Sequence, residues 1–316
     1  MLIEIILICC LILFIILYSM GVYFYKVAFK RGKKDVISND EDYPSGMEGK
    51  EGWEWGKAEG RKWLSEKQFQ KVKIKSEDEL RLVAHYLPSE SISEVTVILL
   101  HGYGSTGLDM GTFAKYYNEE WSFNVLMLDC RGYGDSQGLY TGFGWHDRRD
   151  IIKWINYLME RNGDKSKIIL HGVSMGAAAV LMTSGEELPE NVKFIIGDCG
   201  YSSVKDILAY QLNKKYKLPA FPILNITSLV CKMKAGYFIG EASAVKQVKK
   251  SKTPILFIHG TEDKFVPVYM AKELYEAAEC PKELLLVEGA VHAEAYYTDK
   301  ENYKNKIRSY IERYLK

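Results

Sequence analysis

Residues 168–183, IILHGVSMGAAAVLMT, decide how the rest of the chain is read. A short β-branched and leucine run breaks at Gly172-Val173-Ser174-Met175-Gly176 and continues as small, apolar residues suited to a buried helix. Strand, tight turn and helix, with GxSxG at the turn, hold a serine on strained backbone with its hydroxyl above the edge of a sheet. Glycine at 172 and 176 lets the helix return close to the strand it has just left, which a side chain would prevent. Ser174 is therefore the candidate nucleophile, and Gly172 and Gly176 are the glycines of its elbow.

Outward from this turn, residues 95–100, 124–128, 192–197, 255–258 and 283–287 are further β-branched and leucine runs with helical stretches between them. Buried, non-alternating strands separated by helices predict a mostly parallel sheet covered on both faces, an α/β fold of three layers. Ahead of them, residues 68–75 and 80–87 alternate apolar and polar around Ser76-Glu77-Asp78-Glu79, the pattern of an antiparallel hairpin. Polar residues collect at the C-terminal strand ends, where open α/β sheets carry their sites: His101-Gly102, Asp129, Ser174, Asp198, Asp263 and His292.

A serine hydroxyl needs a neighbouring base, and the base needs a third group to hold its tautomer. Of the six histidines, His85 lies in the hairpin, His101, His171 and His259 each precede a glycine at a strand end, and His146 opens a helix. His292 follows the last strand on a loop before the C-terminal helix, so the order serine, acid, histidine makes it the candidate base. Asp263 follows the penultimate strand and is the favoured acid, with Glu262 and Asp198 as rivals. Backbone N–H groups of Met175, after the nucleophile, and of Tyr103, in the loop after the third strand, are the candidate oxyanion donors.

These residues stand in HGYGS, DCRGYGDSQG, HGVSMG, HGTEDKFVP and GAVHAE, in that order. Over residues 71–316 the chain resembles the α/β-hydrolase superfamily, and its layout is most similar to membrane-anchored bacterial relatives of the eukaryotic Bem46-type hydrolases. The resemblance implies an α/β-hydrolase fold of about eight strands and a serine esterase with Ser174, Asp263 and His292 as triad. The chain lacks the HGGG loop of the hormone-sensitive lipase kind and an N-terminal region large enough for the propeller of a prolyl oligopeptidase. Serine at 174, rather than aspartate, argues against a dehalogenase or epoxide hydrolase.

Residues 2–25 are almost wholly apolar, interrupted by Glu4, and about 20 such residues in a helix span a hydrocarbon core of roughly 30 Å. Tyr18, Tyr23 and Tyr25 gather near the end of the run, where an aromatic belt would lie, and Lys26, Lys30, Arg31, Lys33 and Lys34 follow. The run lacks the basic n-region and small-residue cleavage site of a signal peptide. Residues 1–25 are thus expected to be a single transmembrane anchor, and the basic flank places the remainder on the cytoplasmic side of the cell membrane. Residues 26–67 read as basic flank and linker, becoming structured around Trp53, and 68–316 as the hydrolase domain. Between residues 200 and 250 the Pro219 and Pro222 interruption of an apolar run reads as a helical cap over the site, the alternative being a longer structural crossover.

A net charge of +1 and the absence of a basic aromatic platform exclude nucleic acid as an expected partner. The six cysteines show no CxxC spacing, the histidines no HExxH spacing, and no GxxxxGK[ST] fingerprint occurs, so neither metal nor nucleotide cofactor is expected. The functional expectation is a membrane-anchored serine hydrolase acting on a carboxylic, thio- or lipid acyl ester. A serine peptidase or amidase, or a non-catalytic binding module of the same fold, is the alternative.

Overall fold

The computed structural model describes residues 1–32 and 52–316. It opens on α1 (Leu2–Ala28) and α2 (Trp53–Ser65), followed by β1 (Gln70–Lys75), β2 (Arg81–Leu87) and β3 (Val95–Leu100). Then come α3 (Gly111–Trp121), β4 (Asn124–Asp129), α4 (Asp147–Asn162), β5 (Lys167–Val173), α5 (Met175–Thr183) and β6 (Val192–Asp198). An insertion with α6 (Val204–Tyr216), α7 (Ile223–Ala235) and α8 (Ala244–Val248) precedes β7 (Ile255–Gly260), α9 (Val268–Ala277), β8 (Lys282–Val287), α10 (Ala295–Thr298) and α11 (Lys300–Tyr314).

The strands form one eight-stranded sheet in the order β1-β2-β4-β3-β5-β6-β7-β8. The hairpin β1-β2 and the β2-β4 edge are antiparallel, and every later pairing is parallel. Both faces are covered, as the uninterrupted apolar strands require. Ile98 and Leu100 of β3 point into one core with α4, α5, α8 and α9, whereas Val97 and Leu99 point into the other with α2, α3 and α11. Because side chains alternate across a strand, only a sheet sandwiched between helices can bury both sets.

Two features differ in detail from the sequence reading. The helix expected to end near residue 25 continues to Ala28, and Tyr25, Ala28 and Phe29 are buried in the main core. Residues 33–51, within the stretch read as flank and linker, lie outside the described residues, but α2 packs tightly on α3. At that crossing Gly60 and Gly111 face each other, and a Cβ on either would overlap the other's backbone. All six cysteines are free, Cys9 and Cys10 exposed on α1 and the other four buried.

Candidate active site

Ser174 links β5 to α5 with φ 56° and ψ −115°, a conformation that L-residues rarely adopt. Its N–H donates to the Asp198 carbonyl at 2.8 Å, and its carbonyl accepts from Ala178 N–H at 3.0 Å, so the turn is fixed from both sides. A Cβ at Gly172 would overlap the Gly176 backbone, and one at Gly176 would overlap the carbonyls of Leu100 and His101. The two glycines therefore let the start of α5 press against β3 and β5.

The loops after β7 and β8 are zipped together. Glu262 N–H donates to Ala290 O at 3.0 Å, Thr261 N–H to Val287 O at 3.0 Å, and Gly289 N–H to Thr261 Oγ1 at 2.9 Å. This zipper sets Asp263 beside His292. His292 Nδ1 lies 2.7 Å from Asp263 Oδ2, and His292 Nε2 lies 2.9 Å from Ser174 Oγ. An ionised carboxylate only accepts, so Nδ1 carries the proton and Nε2 is left to accept from the serine hydroxyl. The other carboxylate oxygen, Asp263 Oδ1, accepts from Phe265 N–H at 2.9 Å and Val266 N–H at 2.8 Å.

Burial would push the Asp263 carboxyl up, but the facing His292 and the hydrogen bonds from His259 and His292 outweigh it and hold the group well below the usual carboxylate range. His259 stands behind it, 3.3 Å from Oδ2, with its Nε2–H directed mainly to Val266 O at 2.7 Å. Sequence reading listed His259 only as a strand-end histidine. Its i,i+4 spacing to Asp263 in HGTED is the signal that could have marked it as the support of the acid.

The rivals fall elsewhere. Glu262 is exposed on the loop. Asp198 accepts from the Tyr303 hydroxyl at 2.9 Å, and burial raises its pKa to about 6. The remaining histidines also have other partners: His85 is 3.5 Å from Asp129, His146 Nδ1 meets the Tyr140 hydroxyl, and His171 sits between Tyr117 and Tyr303. Burial lowers the pKa of His171 to about 3, which keeps it a neutral structural group.

His101 shapes the loop that carries Tyr103. Its Nδ1 donates to Gly102 O at 2.8 Å and its Nε2 accepts from Cys130 N–H at 3.1 Å, while burial lowers its pKa and keeps it neutral. Gly102 faces Ser174 so closely that a Cβ there would stand 3.4 Å from the serine Cβ. Tyr103 and Met175 border the same cavity as Ser174, and Met175 is the first residue of α5, among the N–H groups a helix leaves without intrahelical partners.

The cavity above Ser174 occupies about 830 Å³ including its open mouth. Its walls are apolar and come from α6, α7, the loop after β7 and, unexpectedly, the last turns of α1. Sequence reading missed the α1 contribution because an apolar helix residue looks the same whether it faces lipid or protein. Ligand atoms of Cys199, Asp263 and His292 lie within 4.8 Å of one another. Burial and then the charges of Asp198 and Asp263 push the Cys199 thiol up, so it is a protonated neighbour, and the other two are bonded to each other rather than disposed around an ion.

Residues 95–221 match the family model described as alpha/beta hydrolase fold. The Bacillus subtilis protein YqkD is 30% identical over 217 residues, covering 69% of this chain and 71% of its own length. This chain belongs to the α/β-hydrolase family. Protein bem46 of Schizosaccharomyces pombe is also similar, 24% identical over 206 residues, 63% of this chain and 62% of that protein. The solved esterase Pf2001 of Pyrococcus furiosus superposes with a TM-score of 0.65 at 25% identity, covering 81% of this chain and 96% of that one.

Proposed function

We propose that this α/β-hydrolase is a membrane-anchored serine esterase that works through an acyl-enzyme, with Ser174 as nucleophile, His292 as base and Asp263 as the group orienting the base. The observation that carries this is the unbroken hydrogen-bond string from Ser174 Oγ through His292 to Asp263 Oδ2. In that order Ser174 Oγ attacks the ester carbonyl while its proton passes to His292 Nε2. The Met175 and Tyr103 backbone N–H groups stabilise the tetrahedral oxyanion. The ester C–O bond then breaks, and the departing alcohol takes the proton from His292. Water next attacks the acyl-enzyme, giving one proton to His292 and releasing the carboxylic acid as the proton returns to Ser174.

The esterase description of the Pyrococcus neighbour and the apolar cavity favour an ester over a peptide. Anchoring rests on α1, whose 27 residues are long and apolar enough to cross a membrane. The basic residues after it favour a hydrolase domain on the cytoplasmic side.

The test is labelling of the full chain in detergent micelles by a fluorescent fluorophosphonate, beside Ser174→Ala, with p-nitrophenyl acetate and the matching p-nitroanilide as substrates. Labelling and acetate turnover that vanish in Ser174→Ala, with the anilide untouched, are expected. An unlabelled wild-type chain that is folded would overturn the assignment, and faster anilide cleavage would move it to an amidase.

A further inference from the structure

The anchor helix is part of the hydrolase domain rather than a tether to it. Along residues 2–19 of α1 the side chains are exposed almost without exception, a length of about 27 Å at the helical rise, close to the ~30 Å of a hydrocarbon core. From Met20 onward one side is covered. Gly21 packs on Ile226 of α7, where a Cβ would stand 2.6 Å from the isoleucine methyl. Phe24 meets the Tyr216 ring edge-on at 5.3 Å, and Tyr25 stacks on Phe29 within the core.

The end of the helix is bonded to the loops around the site. The Tyr103 hydroxyl donates to Ala28 O at 2.8 Å, so the side chain of the proposed oxyanion residue is bonded to the end of α1. Thr141 N–H donates to Phe29 O at 2.7 Å, and the Arg31 guanidinium donates to Ser136 O at 2.7 Å and Gly134 O at 2.8 Å.

Phe24, Val27 and Ala28 are spaced i, i+3, i+4, which puts them on one face of α1, and that face is a wall of the cavity that holds Ser174. Leu208 and Leu212, one turn apart on α6, line the same cavity. Tyr18 and Tyr23 are exposed at the end of the apolar stretch, as interfacial tyrosines are, which brings Phe24 to the level of the membrane surface. Beside α1, the insertion exposes Phe221, Leu229 and Met233 with Lys217, Lys232 and Lys234 around them, an apolar face rimmed by cations suited to an anionic lipid surface.

We infer that the substrate is a long-chain acyl ester of the bilayer itself, whose chain passes from the leaflet along α1 into the cavity between α1 and α6, placing its ester at Ser174. This rests on the serine esterase reading and names its substrate class. A chain that moves from lipid into this cavity exchanges one apolar surround for another and need not cross water, whereas a short water-soluble ester fills little of the cavity and leaves its apolar walls unmatched.

The experiment uses the full chain in vesicles of phosphatidylcholine and phosphatidylglycerol, with p-nitrophenyl palmitate in the bilayer and p-nitrophenyl acetate in the water. Val27→Trp and Leu212→Trp fill the cavity from α1 and from α6, and Leu13→Trp places the same indole on the exposed part of α1. The expected result is at least a tenfold palmitate preference in the wild type, a tenfold or larger fall in the palmitate-to-acetate ratio in both cavity variants, and no change in Leu13→Trp. Fluorophosphonate labelling reports whether each variant has kept its site, and where one wall variant has not, the other decides. Equal losses on both esters, or an undiminished palmitate rate in a labelled wall variant, overturn the membrane-chain route and leave the esterase standing. A folded wild type that neither labels nor cleaves acetate overturns the esterase reading and this inference with it.

Discussion

Asp263 divides its two oxygens between two tasks, and a single substitution separates them. Oδ1 accepts the Phe265 and Val266 N–H groups, and Oδ2 accepts from His292 Nδ1. In Asp263→Asn the carbonyl oxygen is held by the two backbone donors, which turns the amide NH₂ toward His292 and forces the proton onto Nε2. That nitrogen then donates to Ser174 instead of accepting from it. A loss of the order of 10⁴-fold in kcat with the melting temperature little changed is expected, the size seen when an orienting aspartate is replaced in other triads. Retained activity within tenfold would mean that His292 is not the base. Asp198 gives a second test through pH. Its pKa is raised to about 6 from an ordinary value near ~3.9, so the neutral carboxyl stabilises the fold below about pH 4 and that contribution is lost as pH rises through about 6. Two units correspond to about 3 kcal/mol. Asp198→Asn cannot ionise and should melt several degrees above wild type at pH 8, with the gap closing by pH 4. At this scale the candidate site was legible because chain order and strand ends limit where a base and an acid can sit. The support behind Asp263 was not, since a histidine before a glycine at a strand end reads alike in His101, His171 and His259.

Helices α2 and α3 cross where neither has a side chain. A Cβ at Gly60 would overlap the Thr112 backbone nitrogen and the Gly111 main chain, and a backbone cannot move aside as a flexible side chain can. Gly60→Ala gains helix propensity of about 1 kcal/mol but must part the two helices, which costs typically 1–3 kcal/mol and here involves main chain on both sides. A fall in melting temperature is expected despite the better helix former. A rise would mean that the crossing relaxes. The strands and the helices packed on the sheet could be read from apolar runs and turn residues, whereas α2 was read only as a stretch becoming structured near Trp53. Trp53 itself is buried, with its backbone N–H donating to Glu294 Oε1 at 2.7 Å, while Trp55 remains half exposed. Nothing local distinguishes the two tryptophans; contacts 241 residues away in sequence do.

Over the whole molecule α1 holds two different kinds of sequence requirement. Its first turns meet nothing among the described residues, so any apolar residues of the same length should serve. Its last turns bury Tyr25, Ala28 and Phe29, wall the cavity with Phe24 and Val27, and bond the loops that carry Tyr103 and Ser136. Apolar composition led to the reading of a span but hid this division, because lipid and protein select the same residue types, and Gly21, set against Ile226, is the small residue that marks a packed face. Two chimeras separate the regions. Replacing residues 2–16 by leucine should leave labelling at Ser174, melting temperature and ester preference as they are. Deleting residues 1–32 removes an aromatic side chain that is fully buried, a change that costs about 3–5 kcal/mol when made by truncation to alanine, and opens the apolar cavity to water. That chain should aggregate or melt well below the full protein, and any soluble fraction should lose its preference for long acyl chains before it loses acetate turnover. A deletion that is monodisperse, melts with the full chain and keeps its chain-length preference would return α1 to the role of a simple tether.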